Sequence, residues 1–196
     1  MGKIFYLMGK SSSGKDTIFR MLMRSPEVSF KTIVPYTTRP IRAGEVEGKQ
    51  YHFVTEEEFH KLKESGKIIE DRAYNTYHGL WRYFMVDDGG IDLNTGDYII
   101  IGTIESYLKC AEFYGKDRTV PLMIDLDDGE RLSRALKRER KQEHPKYEEM
   151  CRRFLADSED FSEEKLKEAG ITAPNRFDNT DLDDCLGKII SYIKSL

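Results

Sequence analysis

The residues best suited to chemistry begin at Gly9, where Gly9-Lys10-Ser11-Ser12-Ser13-Gly14-Lys15-Asp16-Thr17 follows a short apolar run and opens a helical stretch. The pattern is nearly G-x-x-x-x-G-K-[ST]. Its glycines let backbone N–H groups turn inward around phosphate oxygens, the helix N-terminus adds positive potential, and a lysine at position 15 reaches the terminal phosphates. The departure is Asp16, which stands where a hydroxyl normally meets Mg²⁺. A carboxylate beside phosphates is repulsive unless a cation lies between them, so Asp16 is the candidate metal ligand. The plainer alternatives are a Gly/Ser-rich turn, with Asp16 capping the helix; a strand before the loop and a helix after it favour phosphate binding.

Two basic clusters extend this chemistry. Arg39 and Arg42, three apart beside Gly44, form a fork for a second phosphate, and Tyr51 adds a neutral donor. Between Arg131 and Arg153 the chain is rich in arginine and lysine, and His144-Pro145 divides it into two helices. Arg134 and Arg138 share one helical face and Arg153 lies on the next helix, so closure of such a segment aims guanidiniums at a transferring phosphoryl group. Arg138 and Arg153 are the catalytic candidates, with Arg134 in reserve; most other members of the run read as a solvated face. A solvated loop is likewise the alternative for Arg39 and Arg42.

These groups need a scaffold. Ile4–Met8, Lys31–Val34, Tyr98–Ile101, Val120–Asp125 and Arg176–Asp178 read as strands separated by helix-length segments, which predicts an α/β fold with a five-stranded parallel sheet flanked by helices. Helices are predicted over Asp16–Met23, Ile104–Tyr114, Asp128–Gln142 and Asp181–Lys194. The last shows an apolar stripe of Leu182, Cys185, Leu186, Ile189, Ile190 and Ile193. Between the second and third strands the period changes: Tyr51–Val54, Lys67–Ala73 and Leu80–Val86 read as strands around a helix that opens with Thr55 and Glu58. The expected organisation is a core of 1–34, 97–128 and 154–196, an inserted mixed α/β acceptor-binding lobe at 35–96, and a helical lid at 129–153.

With 196 residues, 39% hydrophobic and 34% charged, the chain fits one globular unit with inserts and excludes wholesale disorder. A net charge of −4 gives no field to attract nucleic acid or an anionic membrane, and no apolar run is long enough to span a bilayer. Cys110, Cys151 and Cys185 are far apart and have no zinc-type spacing, and the four histidines form no ligand set. The expectation is a cytoplasmic protein, monomer or homodimer, acting on small-molecule nucleotides.

From Tyr36-Thr37-Thr38-Arg39-Pro40 through Arg42-Ala43-Gly44-Glu45 to Tyr51-His52-Phe53-Val54, the chain resembles the guanylate kinase family. The phosphate loop and Asn179-Thr180-Asp181-Leu182 extend the resemblance along the chain. It implies a P-loop NTPase fold with ATP as phosphoryl donor, Mg²⁺, and a nucleoside monophosphate, GMP first, as acceptor. Arg39, Arg42 and Tyr51 would hold the acceptor phosphate, Glu70 would accept hydrogen bonds from the guanine edge, and Asn179 would lie near the donor adenine. The chain departs from the family at His78, where a phosphate-contacting tyrosine is usual, and at Ile101-Gly102-Thr103, where a strand normally ends in aspartates. In Gly14-Lys15-Asp16 and Gly102-Thr103 it is similar instead to ribose bisphosphate phosphokinases of the same fold. A same-fold kinase for such an acceptor and a non-catalytic binding module are the alternative readings.

Overall fold

The computed structural model describes residues 1–42, 44–76 and 79–196. A strand, β1 (Ile4–Met8), runs through the middle of the molecule with all five of its residues buried. Alternate side chains go to opposite faces: Ile4, Tyr6 and Met8 join one apolar cluster, and Phe5 and Leu7 join another. A strand whose two faces are both covered has no polar side, which is why its sequence is a continuous apolar run.

The phosphate loop leads from β1 into α1 (Lys15–Arg24). Beyond it lie β2 (Phe30–Thr32), β3 (Tyr36–Thr37), β4 (His52–Phe53), α2 (Glu56–Glu64), β5 (Ile68–Thr76) and β6 (Gly79–Val86). The chain continues through β7 (Asp97–Ile101), α3 (Ile104–Tyr114), β8 (Thr119–Asp125), α4 (Asp128–Glu139), α5 (Tyr147–Asp160), α6 (Glu163–Glu168), β9 (Arg176–Asp178) and α7 (Leu182–Lys194). Five strands form one sheet in the order β2-β7-β1-β8-β9, with every pairing parallel. On one face Ile18 and Leu22 of α1 meet Cys185 and Ile189 of α7; on the other, Ile104 and Tyr107 of α3 pack with Leu166 of α6. The fold is the P-loop α/β architecture. Its loop emerges from the carboxyl end of the central strand, where adjacent connections diverge and ligands bind in folds of this kind.

The remaining strands make a second, mixed sheet in the order β4-β3-β6-β5. Phe59 of α2 packs on Phe84 and Val86 of β6 beneath it. The capping box of α2 is formed in full: Thr55 accepts from the Glu58 amide, and Glu58 accepts from the Thr55 amide.

The elements differ from expectation in specific ways. The second strand ends at Thr32 rather than Val34, and β5 extends to Thr76 through its long antiparallel pairing with β6. The two-residue β3 is too short to produce a periodic pattern and exists through its neighbours β4 and β6. Helix α6 falls in a stretch for which no element was expected. In α7 the apolar stripe begins at Cys185; Leu182, at the helix start, is exposed. The boundary drawn after residue 153 falls within the continuous helix α5.

Candidate functional site

The loop has the conformation its glycines permit. Gly14 has φ 94° and closes against Asn179, whose side-chain nitrogen would lie 2.2 Å from an added Cβ. Gly9 is equally confined, with Ile124 O and Ser13 Oγ both 2.7 Å from such an atom. The Asn179 amide donates to Ser13 O at 2.7 Å, so this residue, expected on the adenine side, braces the phosphate loop from beneath. Its Oδ1 and the hydroxyls of Ser12 and Ser13 are buried without a hydrogen-bond partner within the protein. Uncompensated polar groups are costly to bury, and donors concentrated at a helix N-terminus suit phosphate oxygens, so the loop fits a nucleotide phosphate chain.

Lys15 sits at the first position of α1. Burial pushes its pKa down; Asp16 and Asp157 pull it up, while the positive charges of Arg153 and Arg138 add to the downward pressure. The two arginines singled out on α4 and α5 thus act electrostatically on the loop lysine. Asp16 is exposed in the first turn, where its charge complements the helix dipole, but the N-cap is Gly14 and no side chain caps the helix. No group of three potential metal-ligating side chains occurs among the described residues. One carboxylate together with phosphate oxygens still suits Mg²⁺, which keeps several waters, so Asp16 fits as its protein contact. Asp125, the last residue of β8, is held by Arg176 at 2.7 Å.

Most of the basic segment is a solvated face, as expected, but Arg131 is an exception, because its side chain is 0% exposed. Its Nε donates to Asp128 at 2.9 Å, its Nη1 donates to Ser11 O at 3.0 Å, and the guanidinium lies 4.6 Å from the centre of the Phe154 ring. Asp157 of α5 accepts from the Ser11 amide at 2.7 Å. Residues on α4 and α5 therefore hold the phosphate loop from both its carbonyl and its amide side. Neither Arg131 nor Asp157 was distinguishable in sequence from its charged neighbours. Arg134 pairs with Glu130 at 2.9 Å, yet its Nη1 is only 3.8 Å from where a Gly14 Cβ would stand.

On the second sheet, Arg39 is only 3% exposed. Its two terminal nitrogens donate to the two oxygens of Glu45 at 2.7 and 2.5 Å, and its guanidinium lies between the rings of Tyr51 and Phe53, at 5.0 and 5.3 Å. That fork holds the Glu45 carboxyl down at about 2. Arg42 is exposed, with its guanidinium 5.7 Å from the Trp81 ring. Glu70 is 5% exposed and bound by Arg72 through both oxygens, at 3.0 and 3.2 Å. Burial pushes the Glu70 carboxyl up against the pull of Arg72. His78 lies outside the described residues.

The strand end leaves no room for a side chain at Gly102. An added Cβ at Gly102 would lie 2.2 Å from the Tyr6 ring and 2.7 Å from Ser106 Oγ, so any larger residue collides. Tyr6 had been read only as a core strand residue, and it is the group that excludes a side chain here.

Ser11, Arg42, Arg138 and Arg153 line one cavity of about 550 Å³, together with Trp81 and Phe154. The cavity joins the phosphate loop to the arginine-bearing helices and to the second sheet.

These features define a P-loop α/β protein with a second, mixed sheet inserted in its fold. Comparison with known proteins points the same way: residues 1–80 match the guanylate kinase family model. The chain is 30% identical over 100 residues to a guanylate kinase of Rhodopirellula baltica, a match covering 51% of this chain and 47% of that protein. It is 40% identical over 79 residues to that of Mycoplasma mobile, covering 40% and 39% respectively. The chain thus spans less than half the length of these curated relatives in the matched regions. The crystal structure of guanylate kinase from Anaplasma phagocytophilum shares the fold over 99% of this chain and 85% of its own, with a TM-score of 0.62 and 22% identity.

Proposed function

We propose that this protein is an ATP-dependent kinase that transfers the γ-phosphoryl group to the phosphate of a nucleoside monophosphate, with GMP as the leading acceptor. The observation that carries this reading is the shared cavity, which brings Ser11, Arg42, Arg138 and Arg153 to one space. The match of residues 1–80 to the guanylate kinase model supports it independently.

In this reading an acceptor phosphate oxygen attacks the γ-phosphorus, the bond to the β–γ bridging oxygen breaks, and no covalent enzyme intermediate forms. The protein's work is alignment and charge stabilisation. The loop amides and Lys15 hold the donor phosphates, Arg39, Arg42 and Tyr51 hold the acceptor phosphate, and Arg138 and Arg153 stabilise charge on the transferring group. Asn179 keeps the loop in shape through its bond to Ser13 O. Asp16 would hold Mg²⁺, which would supply neutralisation of phosphate charge. Residues 35–96 serve as the acceptor lobe and 129–153 as the lid that excludes water. We place the protein in the cytoplasm, as a monomer or homodimer; a net charge of −4 and the absence of a long apolar helix among the described residues support this.

The test is ADP release by pure protein with ATP, Mg²⁺ and each of GMP, dGMP, AMP, UMP, CMP and ribose 1,5-bisphosphate. Acceptor-dependent ADP formation with a nucleoside monophosphate supports the reading. Turnover with the sugar bisphosphate alone replaces the acceptor, and no turnover with any of them leaves a binding module.

A further inference from the structure

The Glu70 carboxylate is the group proposed to read the acceptor base, and both of its oxygens are already engaged. Arg72, two residues along β5, donates from Nε to one oxygen at 3.0 Å and from Nη2 to the other at 3.2 Å. A side-on pair of parallel N–H donors is the pattern that the N1–H and 2-amino edge of guanine offers a carboxylate, because that edge is itself a guanidine fragment. The pair is nearly sealed, with side-chain exposures of 14% for Arg72 and 3% for Glu70. Arg72 is also tethered from the parallel sheet: its Nη1 donates to Thr103 Oγ1 at 3.3 Å. Thr103 in turn is fixed as the N-cap of α3 by reciprocal bonds with Ser106. At the neighbouring strand end Tyr6 fills the space above Gly102, and neither Ile101 nor Thr103 is an acid. Arg72 lies opposite Tyr83 of β6, whose ring is 5.6 Å from that of Tyr51, so this pair belongs to the same side of the second sheet as Tyr51.

We propose that Arg72 is a specificity-determining residue that acts as a built-in mimic of the guanine edge. It keeps Glu70 satisfied from within the protein, so the pocket binds nucleoside monophosphates through their phosphate and gains little from the 2-amino group of guanine. This inference rests on the acceptor reading of the second sheet and adds to it a substrate class: purine monophosphates irrespective of the 2-amino group. The guanine edge is neutral whereas Arg72 is charged, so displacement would leave a largely buried guanidinium without its counter-charge and would also break the Thr103 tether; the intramolecular partner keeps its place.

The experiment is titration calorimetry of the full chain, without ATP, against GMP and inosine monophosphate, which lacks the 2-amino group. The wild type is expected to bind the two within about threefold of each other. Arg72→Met frees Glu70 and is expected to raise the preference for GMP to about tenfold or more, the range for one hydrogen bond to a charged acceptor. Because removing Arg72 leaves a buried carboxylate without its partner, folding is checked by circular dichroism, and Thr103→Val provides a second route. It cuts the tether, keeps the ion pair, and is expected to move the ratio the same way by a smaller factor. A wild-type preference for GMP already above tenfold overturns the proposal, as does an unchanged ratio in both variants or no GMP binding by folded Arg72→Met. The kinase reading is judged separately: absent ADP formation with a restored GMP preference in Arg72→Met sinks that reading and leaves the role of Arg72 standing.

Discussion

The phosphate loop and the far end of the acceptor-side sheet are both built from buried, paired polar groups, but they are built differently. Around the loop, recognition uses backbone N–H groups, and distant side chains only brace them: Asn179 on Ser13 O, Arg131 on Ser11 O and Asp157 on the Ser11 amide. At the other end the pairing is between side chains from two strands and a helix start: Glu70 and Arg72 of β5 and Thr103 hold one another, and Tyr6 of β1 fills the space above Gly102. A backbone cradle changes little when single side chains change. A side-chain surface is rewired by one substitution, whereas the loop keeps Gly9, Gly14 and Lys15 and departs from its pattern only at Asp16.

The sharpest way to break this comparison is Lys15→Ala. Loss of one preorganised charge is expected to lower turnover by roughly 10²- to 10³-fold with every acceptor, while the thermal melt stays near wild type. Turnover at the wild-type rate would remove the loop from the mechanism.

Arg39→Ala tests the other end and should discriminate between substrates. Acceptor KM is expected to rise about 10- to 100-fold, the value of a charged hydrogen bond, with ATP affinity unchanged. Arg39→Lys should recover only part, since it keeps charge and loses the fork. Equal losses for ATP and acceptor would make Arg39 a structural partner of Glu45 and nothing more.

A smaller effect is expected at Asp16. Asp16→Asn should raise the Mg²⁺ concentration for half-maximal activity several-fold, beyond any change in ATP affinity, and Asp16→Ser should be better tolerated than Asp16→Ala. If Asp16→Ala leaves the Mg²⁺ dependence unchanged, the carboxylate serves the helix dipole instead.

The smallest effect concerns pH. The Glu45 carboxyl is held at about 2 against an ordinary 4.5 by its hydrogen bonds to Arg39, so its contribution to stability is fully present above about pH 4.5 and is lost as pH falls through about 2. Solvent screening keeps that contribution modest. The difference in melting temperature between wild type and Glu45→Gln should therefore shrink from pH 5 to pH 2; a constant difference would show that the ion pair is not what Glu45 supplies.

What the sequence determined by itself is what lies close together along it. Gly9 to Thr17 state a phosphate loop because its geometry is local: the glycines, the lysine and the helix start are within nine residues. The parallel core was equally legible, since β1 is buried on both faces and carries an unbroken apolar run. Tertiary structure alone decided the rest. Arg131 looks like any residue in a basic helix until Ser11, Asp128, Asp157 and Phe154 enclose it. The glycine at position 102 becomes intelligible only when Tyr6, far earlier in the chain, is seen filling the space above it. A charge run shows how many charges there are; desolvation and pairing, which come from residues far apart in the chain, decide which of them are free to meet a ligand.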